Sequence, residues 1–122
     1  MAGEVKRAAR VAEGIREELS MLLTTKVRDP RLAGVLVSRV ELSDDLRIAR
    51  VFYRLLQGGD DAARLEEAKV GLSRAAGLFR KEISGALKLR SAPEFRFTYD
   101  AGQEARDRID ALLEEVKRER RD

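Results

Sequence analysis

The sequence predicts a single α+β domain in which helices cover one face of a three-stranded sheet. With 122 residues, of which 43% are hydrophobic, the chain is long enough to bury one core. Hydrophobic periodicity switches between helical spacing and strict alternation, in the order helix, strand, strand, helix, strand, helix. We expect one domain over residues 1–102, followed over residues 103–122 by a C-terminal helix and a partly disordered tail.

The first half of the chain is expected to form a helix and a β-hairpin. Apolar residues recur every three or four positions from residue 4 to about residue 26, and Pro30 ends this pattern. Alternation over residues 35–42 and 46–56 predicts two antiparallel strands, with turn residues between them. The predicted core-facing side chains are Leu36, Val40 and Leu42 in the first strand and Ala49, Val51, Tyr53 and Leu55 in the second.

The second half is expected to form a bent helix, a strand and a last helix. Apolar residues at helical spacing run through residues 71–90, but a glycine inside a helix costs about 1 kcal/mol relative to alanine. We therefore expect Ala75, Ala76 and Gly77 to form a bend between two helical pieces. A strand at 94–100 and a helix after residue 102 follow, with Phe95, Phe97 and Tyr99 facing the core and Ile109, Leu112, Leu113 and Val116 at helical spacing.

Positive charge is concentrated in residues 69–90. This segment has six cations and a single acid, Glu82, so its net charge of +5 exceeds the +3 of the whole chain. A solvated helix face explains most charged segments, but acids and bases alternate in the rest of this chain. Because phosphate binding needs segregated positive charge, the predicted RNA contacts are Arg74, Arg80, Lys81, Lys88 and Arg90. Lys6, Arg7 and Arg10 extend this set, although a solvated amphipathic helix explains them equally well.

Composition argues against most enzyme chemistry. The chain has no cysteine and no histidine, which excludes disulfides, thiolate nucleophiles, Cys/His zinc sites and a catalytic imidazole. The acids show no convergent set for metal-dependent cleavage, and no glycine-rich phosphate loop is present. We predict no catalytic residue, no metal site and no cofactor. Without an apolar run of about 20 residues or a secretion signal, a soluble cytoplasmic protein is expected.

Four stretches carry a resemblance to a known family. They read RVAEGIREEL at 10–19, RDPRL at 28–32, VELSDDLRIARVF at 40–52 and AAGLFRKEISGALKLRSAPEFRFTYD at 75–100. In this order and spacing they resemble the ribosome-binding factor A family of small-subunit assembly factors. The segment after residue 100 follows the family only loosely. The element order also matches the bacterial KH-like arrangement.

The resemblance implies a KH-like fold of the second type, with a kink between two helical pieces. In this family an Ala-x-Gly bend, matched here by residues 75–77, replaces the Gly-x-x-Gly loop. None of the nine glycines has another glycine three positions later, so the usual KH clamp on the nucleic-acid backbone is missing. The family implies binding to the immature small ribosomal subunit through its ribosomal RNA and support for the processing and folding of that RNA. It also implies release once the subunit matures. We expect a monomer when free, with neither a small-molecule substrate nor a membrane as partner.

Two other function classes stay open. The chain is alternatively a protein-interaction module that docks a partner through its N-terminal or C-terminal amphipathic helix. An enzyme acting on RNA is the least favoured class. The role of Arg50, Phe52 and Arg54, predicted on the outer face of the second strand, is also open: they offer stacking and charge to an unpaired base, but a single aromatic there is more often packing.

Overall fold

The fold is an α+β arrangement of three α-helices and a three-stranded sheet. The computed structural model describes the backbone of residues 2–121 and the side chains of residues 3, 6–102 and 108–120. Within this part, the sheet order is β1-β2-β3, with β1 antiparallel to β2 and β2 parallel to β3. The α+β class and the predicted order of elements are confirmed. In chain order the elements are α1 (Ala2–Thr25), a 3₁₀ helix (Pro30–Leu32), β1 (Val35–Leu42), β2 (Ile48–Leu55), α2 (Ala62–Ala86), β3 (Glu94–Tyr99) and α3 (Ala101–Arg121).

Strand β1 contains an irregularity that corrects one core prediction. The pairing register with β2 shifts between Val37 and Arg39, so Ser38 is an extra residue on the β1 side. Before the bulge, Val35 and Val37 face the core, and after it the even-numbered apolar residues do so. Leu36 was therefore predicted wrongly, since 45% of its surface is exposed. The bulge is held by Ser38, whose hydroxyl donates to the Phe52 carbonyl at 3.1 Å.

The core lies between one face of the sheet and helices α1 and α2. Phe79 at its centre is fully buried and meets Phe97 of β3 edge to face, with ring centroids 6.2 Å apart. The predicted inward positions of β2 are confirmed, and those of β3 pack against the core while staying partly exposed. The buried core residues are Ile15, Leu19, Leu22, Leu32, Val35, Ala49, Val51, Tyr53, Leu55, Ala68, Leu72, Phe79 and Ile83.

Helix α2 is one continuous α-helix from Ala62 to Ala86, so the two helical pieces expected on either side of residues 75–77 belong to a single helix. Its start is fixed by Asp61, whose carboxylate accepts from the Ala63 amide at 2.9 Å. Arg64 also donates to the carbonyls of Arg31 at 2.8 Å and Ala33 at 2.6 Å, which ties α2 to the 3₁₀ helix. A bend of the axis at residues 75–77 within this single helix stays a prediction.

Helix α3 differs from the others because its described residues, 101–102 and 108–120, are all exposed. It continues to Arg121 and so includes the charged segment for which disorder was predicted. The division into a domain at 1–102 and a tail at 103–122 stays a prediction. Over residues 2–121, the helices do not combine the length and apolar character that a membrane crossing requires.

Candidate nucleic-acid interface

Four cations of α2, Lys69, Arg74, Arg80 and Lys81, lie opposite its buried face. At about 100° per residue, Lys69 and Arg80 form one row and Arg74 and Lys81 a second row about 120° away. The buried side chains of the helix, including Phe79, project from the other side. All four cations are exposed. Because the core contacts hold α2 in one orientation, both rows are presented together on one side of the molecule.

These cations are not neutralised by neighbouring acids. Glu82, the only acid of residues 69–90, is held by Lys26 of α1, whose Nζ lies 3.1 Å from the carboxylate. Within the described residues, Arg80 and Lys81 form neither a hydrogen bond nor an ion pair. Their charge is therefore available to an external anion.

Arg74 lies near an acid that is already bound. Asp29 accepts hydrogen bonds from Arg31 at 2.6–3.0 Å. These bonds hold the pKa of Asp29 below its usual range, and the positive charges of Arg31 and Arg74 lower this pKa further. Arg31, and not Arg74, is the ion-pair partner of Asp29, so the guanidinium of Arg74 keeps its hydrogen-bonding capacity.

Lys88 occupies a backbone position that favours glycine. Helix α2 ends at Ala86, and the φ angle of Lys88 is +53°, in the left-handed region. The helix end is closed by Leu89, whose amide donates to the Ser84 carbonyl at 3.0 Å, and by the amide of Lys88, 3.4 Å from the Gly85 carbonyl. Although Lys88 follows Lys81 by seven residues, it is thus outside the helical row of Arg74 and Lys81, and it lies beyond the helix end.

Gly77 lies on the exposed side of α2, between the two cation rows. A Cβ atom built there meets nothing within 4 Å, so packing inside the protein does not require a glycine. A glycine on a helix surface leaves the backbone open to close approach by a ligand. The two rows of cations and the exposed helix backbone at Gly77 between them therefore form a surface suited to the sugar-phosphate backbone of a nucleic acid.

The N-terminal cations approach the other end of this surface. A Cβ atom at Gly14 of α1 would lie 3.1 Å from Leu87 Cδ2, so the two segments touch closely here. Arg10 is one helical turn before Gly14 on the same side of α1, whereas Lys6, one turn earlier, is rotated about 80° from Gly14 around the helix. Arg10 is exposed, and its row adjoins the C-terminal end of α2.

Comparison with known proteins identifies the family. The family model described as ribosome-binding factor A matches residues 7–113. This chain belongs to the ribosome-binding factor A family. Ribosome-binding factor A of Sorangium cellulosum is 50% identical over 117 residues, which cover 96% of this chain and 94% of the relative. The protein of the same name from Geobacter sulfurreducens is 40% identical over 114 residues, covering 93% and 94%.

Solved structures agree with the fold of this family member. The crystal structure of ribosome-binding factor A from Thermus thermophilus superposes with a TM-score of 0.65 and 23% sequence identity. The match covers 75% of this chain and 93% of the Thermus chain. The chain thus has the KH-like fold of ribosome-binding factor A structures. The family match from residue 7 to residue 113 spans the α2 surface completely and begins one residue after Lys6.

In this family member the structure brings most, but not all, of the sequence-predicted cations together. Arg74, Arg80 and Lys81 share the exposed side of α2, and Lys88 follows its end. Arg90, also exposed, lies two residues further along. Arg7 is placed differently, because it lines a depression with Asp44, Asp45 and Leu46 at the hairpin turn.

Sequence reasoning missed one cation of this surface. Lys69 was counted in the charge of the segment but not selected as an RNA contact. It lies three helical turns before Arg80, on the same row of α2, and is exposed. Plotting the segment at helical spacing as one unbroken helix would have found it, whereas the expected bend separated the two residues.

The described part of the chain has no group of three or more acidic side chains placed to hold a metal ion. Asp44 and Asp45 lie in the hairpin turn, where Asp45 accepts from the Arg47 amide at 3.1 Å and from the Ser43 hydroxyl at 2.7 Å. These bonds lower the pKa of the Asp45 carboxyl, that from Ser43 most. The Asp45 carboxylate thus stabilises the hairpin turn, and this structural role accounts for the presence of an acid at this position.

Proposed function

We propose that this chain binds the immature small ribosomal subunit by holding phosphates of its ribosomal RNA on the exposed side of α2. One observation carries the proposal: the cations of residues 69–90 are exposed, and the single acid among them is already paired with Lys26. Membership of the ribosome-binding factor A family supports the choice of partner. The proposed phosphate contacts are Lys69, Arg74, Arg80, Lys81, Lys88 and Arg90, extended by Lys6 and Arg10.

Counterion release drives this binding. Each phosphate that a lysine or arginine neutralises frees condensed cations into solution, so affinity falls as salt rises. A surface of unpaired cations gains this free energy without first breaking internal ion pairs. Gly77 allows the RNA backbone to approach the helix between the cation rows.

The proposed action is conformational and involves no covalent step. RNA phosphates bind a surface that the core holds rigid, so one arrangement of the precursor RNA is stabilised over the others by its higher affinity. Processing enzymes then meet a folded substrate. When maturation moves the bound phosphates, the contacts are lost and the factor leaves. In this proposal the protein acts as a cytoplasmic monomer without a cofactor or a small-molecule substrate.

Sedimentation with purified immature and mature small subunits at several salt concentrations tests the proposal. If about four to six phosphates are neutralised, the slope of log affinity against log salt is about −0.7 to −0.9 for each contact. We expect stronger association with the immature subunit and a steep slope. Association that does not change with salt, or equal association with both subunits, would contradict the proposal.

A second candidate function rests on helix α3. Its described apolar side chains are largely exposed, with values of 57% for Ile109, 60% for Leu112 and 54% for Leu113. A row of this kind suits a protein partner. In this alternative the chain is a protein-interaction module, and its association with the subunit survives nuclease treatment. Loss of association after digestion of the RNA would support the α2 surface instead.

A further inference from the structure

The outer face of the sheet carries a second surface with the chemistry of nucleic-acid binding. The buried residues of β2 alternate with Ile48, Arg50, Phe52 and Arg54, which point away from α1 and α2. Arg54, at one end of this row, lines a depression with Arg108 of α3. Helix α2 packs on the core side through Phe79, so the outer face and the cations of α2 lie on opposite sides of the molecule. The two surfaces share none of their exposed residues.

An aromatic ring on this face is already stacked with a guanidinium. Arg39 of β1 pairs directly with Phe52 of β2, and its Cζ atom lies 4.0 Å from the centre of the Phe52 ring. About half of the Arg39 side chain, 51%, stays exposed. Guanidinium planes and aromatic rings are the groups on which proteins stack unpaired bases. The exposed side of Arg39 can thus continue the stack with a base.

Next to this stack, two arginines lie side by side. Arg50 of β2 pairs with Arg96 of β3, although like charges directly opposite each other destabilise a sheet. Arg96 has a weak ion pair with Glu94 at 3.6 Å, and Glu41 is engaged by Arg39 at 3.3 Å. Among the described residues, Arg50 has neither a hydrogen bond nor an ion pair. The two arginines line a shallow depression of about 310 Å³ together with Glu41, the cross-strand partner of Arg50, whose carboxylate is engaged by Arg39.

We propose that the outer sheet face binds single-stranded RNA, with one unpaired base stacked on Arg39 and Phe52 and a neighbouring phosphate held between Arg50 and Arg96. The phosphate offsets the repulsion between the two guanidinium groups. A duplex presents no free base face to the stack, so single strands are selected. The site does not involve α2, so RNA binding at either surface can be lost while binding at the other remains. With both, the protein holds two RNA segments on its opposite sides.

Fluorescence anisotropy with the full-length protein and a labelled oligouridylate of about eight nucleotides tests the proposal. The measurements are made with the Lys81→Glu/Lys88→Glu variant, so that oligonucleotide binding to α2 does not hide binding to the outer face of the sheet. We expect residual binding that Phe52→Leu, which keeps an apolar side chain, weakens about tenfold. Arg50→Gln/Arg96→Gln should reduce the salt slope by about 0.7, the value for one phosphate contact with a single strand. A duplex of the same length should bind more weakly than the single strand.

Arg47→Gln is the matched control, because Arg47 lies in the hairpin turn with 84% of its side chain exposed. It removes one positive charge outside the proposed site and should leave oligonucleotide binding unchanged. If Arg47→Gln and the single change Arg50→Gln lower the affinity for the oligonucleotide equally, only the overall charge of the protein matters. The proposed site would then be wrong. The proposal would also be wrong if the Lys81→Glu/Lys88→Glu variant did not bind the oligonucleotide at all, or if the sheet variants bound it as well as that variant does.

Subunit sedimentation of the same sheet variants with α2 intact separates this proposal from the function proposed above. If the sheet variants lose oligonucleotide binding and the wild type associates with the subunit, both proposals stand. Sheet variants that lose subunit association while binding the oligonucleotide normally would mean that this face contacts an acidic protein and not RNA. The proposed function fails separately, if the wild type binds the oligonucleotide but not the immature subunit.

Discussion

Helices α2 and α3 are similar in length but opposite in how they use their apolar and charged side chains. Helix α2 has 25 residues and buries Leu72, Phe79 and Ile83 in the core. Helix α3 has 21 residues, and its apolar side chain Leu112 is 60% exposed. On α2 the cations Lys69, Arg74, Arg80 and Lys81 are exposed and form no ion pair with an acid among the described residues. On α3 acids and bases alternate, and Lys117 lies 3.8 Å from Glu114.

The difference shows that the number of charged residues says little about an interface. On α2, burial of one side fixes the direction of the other, so its cations act on a ligand together. On α3 the described side chains are all exposed, and neighbouring opposite charges reduce its field. Segregation of charge and a fixed orientation are therefore the two properties that distinguish a binding surface from a solvated helix.

The largest expected difference between the helices is in stability. Leu72→Ala on α2 removes a side chain that is only 1% exposed and should lower the free energy of unfolding by about 2–5 kcal/mol. Leu112→Ala on α3 should change it by less than about 0.5 kcal/mol, because this side chain is already in water. Urea denaturation of both variants checks the pair. A similar loss from both would mean that α3 packs on a surface in solution.

The next largest effect concerns binding. Lys81→Glu/Lys88→Glu reverses two exposed cations of the α2 surface and should weaken association with immature subunits roughly a hundredfold. The circular dichroism spectrum should not change, because neither side chain contacts the core. Sedimentation measures the association.

The matched control is Arg118→Glu/Arg120→Glu on α3, which changes the net charge of the protein by the same amount. It should leave association nearly unaffected if orientation and segregation of charge decide binding. Equal losses from the two double variants would show that only total charge matters, and the comparison between the helices would then fail.

Much of the fold was predictable because it follows from short-range patterns. Helical spacing in residues 4–26 and alternation in β2 each reflect one buried face, and both predictions are confirmed. Leu36 was misassigned because the bulge at Ser38 depends on a contact with the distant Phe52 carbonyl, which periodicity does not report. The expected bend at residues 75–77 does not interrupt α2, because the helix-breaking tendency of one glycine is weaker than the core contacts of Phe79 and Ile83.

The candidate site was predictable as a charged segment but not as a surface. Composition identifies the excess of cations in residues 69–90, yet it cannot report that Glu82 pairs with Lys26, 56 positions away in the sequence. It also cannot report that Gly14 meets Leu87 and so places Arg10 near the end of α2. Such long-range contacts decide which of the predicted cations share a surface.

A smaller effect is expected at the exposed glycines of α2. Gly77→Ala and Gly85→Ala both add a methyl group to open space, so each should stabilise the helix by about 1 kcal/mol. Only Gly77 lies between the cation rows, so only Gly77→Ala should weaken association with the subunit, by about severalfold. Thermal unfolding and sedimentation of both variants check this. Unchanged binding by Gly77→Ala would show that RNA does not approach the backbone there.

The smallest expected effect, at Lys88, sharpens the comparison most, because stability and binding should change in opposite directions. Its φ angle of +53° is unfavourable for lysine and suits glycine, so Lys88→Gly relieves the backbone at the helix end. Part of this gain is offset by the greater freedom of glycine in the unfolded chain, which leaves a net stabilisation of about 0.5 kcal/mol or less. At the same time one phosphate contact is lost, so the salt slope of subunit association should fall by about 0.7 to 0.9. No residue of α3 should behave in this way. A variant that is less stable, or that keeps the full salt slope, would mean that lysine is present at this position for the fold and not for the RNA.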